Sequence, residues 1–297
     1  MNLGRCVTDA SPSIQSPPLT FFEMKKLLRR FADWITLLAL RFSWADRLAG
    51  FLAYQRRRAT RRKIEGPLYA SGVYGDEVMA GPFKGLRYPP LNQWASCRFE
   101  KIIGAYEHEL HGLVIRLAAT KQYDLVVNVG AAEGFYTAGL AMLFPKAKLV
   151  SFEADEERTR FCRNLCRINQ VWDRVETRGH CSAEDLAALK PAGRVLVWMD
   201  IDTGERPVLD PAKVSWLSGA DILVELHDCL EPGLTPLIRG RFEKTHRIEQ
   251  FTTRGLEYSC YPLLRNMPFH EIEALAGDDR PGLQDWFFME PENPAAA

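Results

Sequence analysis

Apolar residues at Leu27, Phe31, Trp34, Leu38, Phe42 and Ala45 recur at spacings of three and four, which predicts an amphipathic helix. Gly50 weakens that helix and the run Arg56 to Lys63 closes it with a cationic tail. From Gly66 to Arg98 the period lapses. Glycines and prolines (Gly66, Pro67, Gly72, Gly75, Gly81, Pro82, Gly85, Pro89, Pro90) punctuate short runs such as Glu77-Val78-Met79 and Leu86-Arg87-Tyr88, predicting brief hairpin strands and turns. Helical spacing returns over Phe99 to Thr120 through Ile102, Ile103, Tyr106, Leu110, Leu113, Val114 and Leu117. The stretch Glu107-His108-Glu109-Leu110-His111 within it has histidines three apart and no glutamate in the zincin position, so it reads as a solvated helix face.

Beyond Thr120 the pattern alternates. Continuous apolar runs predict strands at Asp124–Val129, Lys148–Phe152, Arg174–Arg178, Arg194–Met199 and Asp221–Leu226. Between them lie helices running on to Phe144, over Asp155–Asn169 and over Ala183–Leu189, and two late strands, Lys244–Thr252 and Asp285–Met289, flank a helix at Phe269–Ala276. Strands alternating with helices predict an α/β fold, a Rossmann-like, doubly wound and mostly parallel sheet with right-handed crossovers.

Ligands of such sheets bind outside the carboxyl ends of the strands. Four strands deliver chemistry there. The first runs into the turn Gly130-Ala131-Ala132-Glu133-Gly134, the second ends in Glu153, and the fourth and fifth end in Asp200, Asp202 and in Glu225, His227. Glu153 lies 23 residues beyond Gly130, where an acid accepts hydrogen bonds from ribose hydroxyls. A dinucleotide site wants G-x-G-x-x-G for close approach to a pyrophosphate, whereas this turn is G-x-x-x-G. The shorter turn suits a ligand without phosphates, and S-adenosylmethionine fits that description. Asn128, Gly130, Ala131, Ala132, Glu133 and Gly134 are assigned to its methionine portion, Glu153 to its ribose, and Phe135 and Tyr136 to the wall of the site. Asp200 and Asp202 share one face of an extended segment, as do Glu225 and His227, so the two pairs could converge on an acceptor. His227 is the member that titrates nearest neutrality, which makes it, with Asp200 and Glu225, a candidate for taking a hydroxyl proton.

Composition changes the picture in one place. The 297 residues carry 38 basic and 38 acidic side chains, yet Phe21 to Lys63 holds twelve bases against three acids. That basic amphipathic segment is a candidate for peripheral contact with an anionic membrane, or for packing on its own chain or a partner copy. Nucleic acid is the less favoured partner, and the sequence leaves the oligomeric state open. No apolar run approaches the ~18 residues that span a bilayer. Seven scattered cysteines read as reduced thiols in a cytoplasmic protein. The expected organisation is a disordered lead-in over 1–20, a basic helical extension over 21–65, a hairpin-rich cap over 66–98, an enzymatic domain over 99–290 and a tail over 291–297.

Val126 to Tyr136, Phe152-Glu153, Asp200-Ile201-Asp202-Thr203-Gly204-Glu205 and Leu223 to His227 together resemble the FkbM-type family of class I methyltransferases. The resemblance spans Phe99 to Leu230. It implies a seven-stranded sheet with an antiparallel last strand, S-adenosylmethionine as methyl donor, and an oxygen acceptor on a glycan, lipid or natural product. The chain departs from the family at Asn128, where Asp is usual, and at Asp202-Thr203, where Glu-Gly is usual. An amide at 128 offers the donor only dipoles, so Asn128→Asp is expected to tighten donor binding. Two other readings remain: a non-catalytic scaffold with this fold, and an NAD-dependent oxidoreductase. No metal ligand set is assigned, and whether a divalent ion joins Asp200 and Asp202 stays open.

Overall fold

Strand β1 (Leu125–Val129) is apolar almost throughout because both faces of the sheet it centres are covered. It pairs in parallel with β2 (Lys148–Phe152) on one side and β4 (Val195–Met199) on the other. β3 (Val175–Arg178) extends the sheet beyond β2, and β5 (Asp221–Leu226) extends it beyond β4. β7 (Asp285–Pro291) inserts antiparallel between β5 and β6 (His246–Thr252), giving the order β3-β2-β1-β4-β5-β7-β6. The expected Rossmann-like sheet of seven strands is therefore present. Its strand order reverses between β1 and β4, which places the ligand crevice at their carboxyl ends.

The computed structural model describes residues 25–26, 28–34, 43–91, 97–277 and 284–292. The expected lead-in over 1–20 and the tail beyond 292 lie outside the described residues. The chain divides into two compact units, Met1–Arg56 and Arg57–Ala297. In the first, helix is present at residues 28–34, and α1 (Ser43–Ala70) begins there. Helix α1 runs through Gly50 without a break and continues beyond Lys63, so the cationic run does not close it as expected; Pro67 is accommodated near its last turn.

In the second unit, successive strand residues feed opposite cores. Val126, Leu149, Trp198, Leu223 and Phe288 enter one, and Val127, Val150, Val197, Val224 and Met289 the other. The first is closed by α2 (Arg98–Ile103), α3 (His111–Thr120), α4 (Phe135–Leu143), α5 (Glu156–Ile168) and α9 (Phe269–Ala276). The second lies under α6 (Ala183–Leu189), α7 (Glu205–Val208) and α8 (Leu234–Phe242). Side-chain oxygens cap the N-termini of two helices where the sequence says they begin: Asp155 accepts from the backbone of Glu157 and Arg158, and Ser182 with Asp185 forms a capping box.

Two expectations are met only in part. The runs around Glu77 and Arg87 do pair antiparallel, with a bridge between those two residues and a Val78 N–H bond to the Leu86 carbonyl, but the rest of residues 72–91 is turns and no strand extends further. The helix expected over Phe99–Thr120 breaks at Gly104, whose φ is 73°. A Cβ there would sit 2.3 Å from the Ala80 carbonyl oxygen, so the capping segment presses on the chain where only glycine fits.

Candidate functional site

The turn after β1 is built for close packing against protein. A Cβ on Gly130 would lie 1.6 Å from the Asp200 carbonyl oxygen, and one on Gly134 would lie 2.8 Å from the Cys162 Cα. Both glycines have positive φ, 89° and 96°. They let the turn nest against the end of β4 and against α5. Two of its N–H groups, on Gly130 and Ala131, donate to the Phe152 carbonyl, and Ala132 N–H donates to Glu153 Oε2 at 2.7 Å.

Two cavities meet over this turn. The first, about 590 Å³, lies over the ends of β1, β2 and β4 and the start of α6, and is lined by Phe152, Glu153, Cys181, Ala183 and Val208 among others. The second, about 680 Å³, is walled by Tyr106, Glu107, Phe135, Tyr136, Glu225 and His227, with Arg254 and Tyr258 from the far side. Both volumes fall in the range of small-molecule sites. Gly130, Ala132, Arg158, Asp200 and Asp202 line both, so they mark the junction.

His227 is the centre of the second cavity's chemistry. It is 1 % exposed. Its Nδ1 lies 2.9 Å from Oε1 of the fully buried Glu205, and a carboxylate can only accept, so Nδ1–H donates. That tautomer leaves Nε2 facing Asp200 Oδ1 at 3.6 Å, Asp202 Oδ1 at 3.7 Å and Glu225 Oε2 at 3.6 Å. Burial pulls the His227 pKa down, but the hydrogen bond to Glu205 and the charges of Asp200, Glu205 and Asp202 outweigh it, so the ring titrates above its ordinary value. Ligand atoms of Asp200, Asp202 and His227 lie within 4.8 Å of one another, as do those of Glu107, Asp200 and Glu225, and either triplet has the donors and spacing to hold a divalent cation.

The expected catalytic group, Asp200, Glu225 and His227, is thus brought together. The expected donor-binding residues divide. Glu153 lines the first cavity, Gly130 and Ala132 the junction, and Ala131, Glu133 and Tyr136 the second cavity. Asn128 and Gly134 line neither. Asn128 is 1 % exposed and committed elsewhere: its Oδ1 accepts from Thr137 Oγ1 at 2.7 Å, Thr137 Oγ1 lies 2.9 Å from Ser151 Oγ, and its Nδ2 donates to the Trp198 carbonyl at 3.4 Å. Gly134 starts α4 against Cys162.

Three site residues escaped the sequence reading. Glu107 is buried, not solvated, because Gly104 ends α2 and the following turn swings Glu107 inward; it accepts from the Tyr136 hydroxyl, whose ring packs 4.2 Å from that of Trp198. Lys101 pairs with Glu133 and lies 4.6 Å from the centroid of the Tyr106 ring. Burial alone would lower the Lys101 pKa, but its acidic neighbours together, the Glu133 charge and hydrogen bond foremost, outweigh it and hold the ammonium above its ordinary value. Glu205 is the third; its place directly after Gly204 in the Asp200–Glu205 block was the available signal. Burial also pushes Glu100, at the cavity edge, up to about 7 against the pull of Arg61.

No family model matches the chain, and no curated protein matches it. Solved structures with a similar arrangement include the O-methyltransferase TomG from Streptomyces achromogenes in complex with SAM (16 % identity, TM-score 0.42, covering 67 % of this chain and 92 % of that one). Another is a precorrin-6y C5,15-methyltransferase from Geobacter metallireducens (16 % identity, TM-score 0.37, 48 % and 72 % covered). A third is TrmN from Thermus thermophilus (16 % identity, TM-score 0.38, 70 % and 55 % covered). What these proteins share with the chain is a pattern of strands and helices, and a doubly wound α/β domain with a paired cavity at its switch point is the conclusion the chain's own geometry supports.

Proposed function

We propose that the protein transfers a methyl group from S-adenosylmethionine to a hydroxyl of a glycan, lipid or natural-product acceptor, as an FkbM-type enzyme would. The observation that carries this reading is the charge at the cavity junction. The first cavity is lined by five carboxylates (Glu153, Asp155, Glu184, Asp200, Asp202) against Arg158 and Lys213. Such a field repels the pyrophosphate of a dinucleotide and favours a ligand bearing sulfonium and ammonium charges. Glu153 fits the ribose: each of its oxygens takes one backbone N–H, from Ala132 at 2.7 Å and Asp155 at 2.9 Å, and retains a lone pair for a hydroxyl.

S-adenosylmethionine, when bound, supplies an electrophilic methyl on sulfur. The chain's own part is alignment, exclusion of water and removal of a proton. Alignment and exclusion together are worth up to ~7–11 kcal/mol when the reacting atoms are well placed. His227 Nε2 accepts the proton of the acceptor hydroxyl, and Glu205 holds the ring in the tautomer that allows it. The second cavity sets eight carboxylates (Glu100, Glu107, Glu109, Glu133, Asp200, Asp202, Glu225, Glu273) against Arg57, Lys101, Arg158 and Arg254. That balance suits a neutral, hydroxyl-rich or cationic acceptor and disfavours a phosphorylated one.

Titration calorimetry with S-adenosylmethionine, its demethylated product and NAD tests the donor; preference for the first two is expected, and preference for NAD would overturn the reading. Glu153→Ala removes charge-assisted bonds worth roughly 1.5–3 kcal/mol each, so donor affinity should fall at least about tenfold. Metabolite profiling with isotopically labelled methyl donor identifies the acceptor, and donor binding without turnover on any acceptor would favour the scaffold.

A further inference from the structure

The unit Met1–Arg56 has no interior among its described residues. Residues 25–26, 28–34 and 48–56 are all exposed, including Leu28 (66 %), Phe31 (58 %), Trp34 (59 %), Leu48, Phe51 (56 %), Leu52 (57 %) and Tyr54. Those seven are more than half of the thirteen large apolar side chains exposed among all described residues. They fall at helical spacing: Leu28, Phe31 and Trp34 along one helix, with the last two rings stacked 6.2 Å apart, and Leu48, Phe51 and Leu52 along α1. Cations lie beside them in the sequence at Lys25, Lys26, Arg29, Arg30 and Arg56.

Leaving that many apolar groups in water is unfavourable by roughly 25 cal/mol per Å², which calls for a partner that takes up both apolar surface and positive charge. A nucleic acid answers the charge alone. A second copy answers the apolar surface but sets like charges together. The headgroup–acyl boundary of an anionic bilayer answers both. No helix among the described residues is long and apolar enough to cross a membrane, so this element would lie on the surface. We propose that Met1–Arg56 docks the protein on an anionic lipid bilayer, with Phe31, Trp34, Phe51 and Leu52 inserted below the headgroups and Lys25, Lys26, Arg29 and Arg30 at their level.

Co-sedimentation of the full chain with vesicles tests this, using phosphatidylcholine alone and phosphatidylcholine mixed with phosphatidylglycerol. Binding to the mixed vesicles is expected at low salt and should fade as salt shortens the Debye length. Each surface cation contributes about 1 kcal/mol, so Arg29→Gln with Arg30→Gln should weaken partitioning at least about tenfold. Phe51→Glu with Leu52→Glu should do the same at any salt while leaving donor binding intact, since both side chains are exposed. Brominated acyl chains should quench tryptophan emission in the native chain more than in Trp34→Phe. Failure to sediment with either vesicle would overturn the proposal. So would RNA binding that ignores the Phe51 and Leu52 substitutions and outcompetes vesicles, or self-association that those substitutions abolish without any vesicle binding.

Discussion

Two polar groups border the crevice, and they differ in kind. Under β1, Asn128, Thr137 and Ser151 are uncharged and pass hydrogen bonds along a chain that ends on the Trp198 carbonyl. Beyond β4 and β5, His227 is ringed by Glu205, Asp200, Asp202 and Glu225, four carboxylates within 3.7 Å of its two nitrogens. Glu205 is fully buried, yet its Oε2 has no hydrogen-bond partner. Neutral, mutually satisfied groups stabilise a fold; charges gathered in a low-dielectric site cost stability unless geometry and pairing are complete. The first group is what holding three strands and a helix together requires. The second is what a site that must accept a proton requires.

The sharpest way to break this contrast is to remove His227. His227→Ala should lower the single-turnover rate at least about a hundredfold, with donor affinity kept within a few-fold, because general-base help is typically worth 10²–10⁴. Near-normal turnover would mean that alignment alone drives the reaction. Next in size is Asn128→Asp. The sequence alone suggested tighter donor binding, but a carboxylate there faces the Trp198 carbonyl and has no cation. Unfolding by urea at pH 7 should show a loss of about 3 kcal/mol, with donor affinity no better than native.

A pH series sharpens the comparison further. His227 has a raised pKa in the folded chain, so its charged form stabilises the fold fully below pH 6.5, and that contribution is lost as pH rises through the raised value. The neutral ring needed as base appears over the same interval. Turnover should therefore rise with pH where stability falls, and Glu205→Gln should move both midpoints down. A chelator should leave the rate within about twofold if the base is His227; a strict metal requirement would turn the carboxylate ring into a ligand set instead. The smallest effect belongs to a region away from both groups. Glu290 is held down to about 2 by hydrogen bonds from Lys121 and Arg247, so its contribution is present above 4.5 and lost as pH falls toward 2. Its side chain still reaches solvent, which screens the pair, and Glu290→Gln should cost under ~1 kcal/mol at pH 7 and nothing at pH 2.

The strands were legible because a strand covered on both faces must be apolar throughout, as β1, β4 and β5 are. The crevice followed from their alternation with helices, and Asp200, Glu225 and His227 from their position at strand ends. Local pattern also placed α6 and α9 to the residue. What it could not supply was every decision taken by a distant contact. Gly104 reads as tolerable in a helix until Ala80 presses on it, and only then does Glu107 turn inward. Asn128 reads as a ligand-facing residue until Thr137 claims it. The glycines of the turn read as room for a ligand, whereas the Asp200 carbonyl and Cys162 occupy that room. Sequence alone determined the order of strands and helices and the chemistry carried to one edge, since period and composition are local properties. Tertiary structure decided which of those polar groups face each other and which face a cavity, because that depends on backbone approaches between residues tens of positions apart.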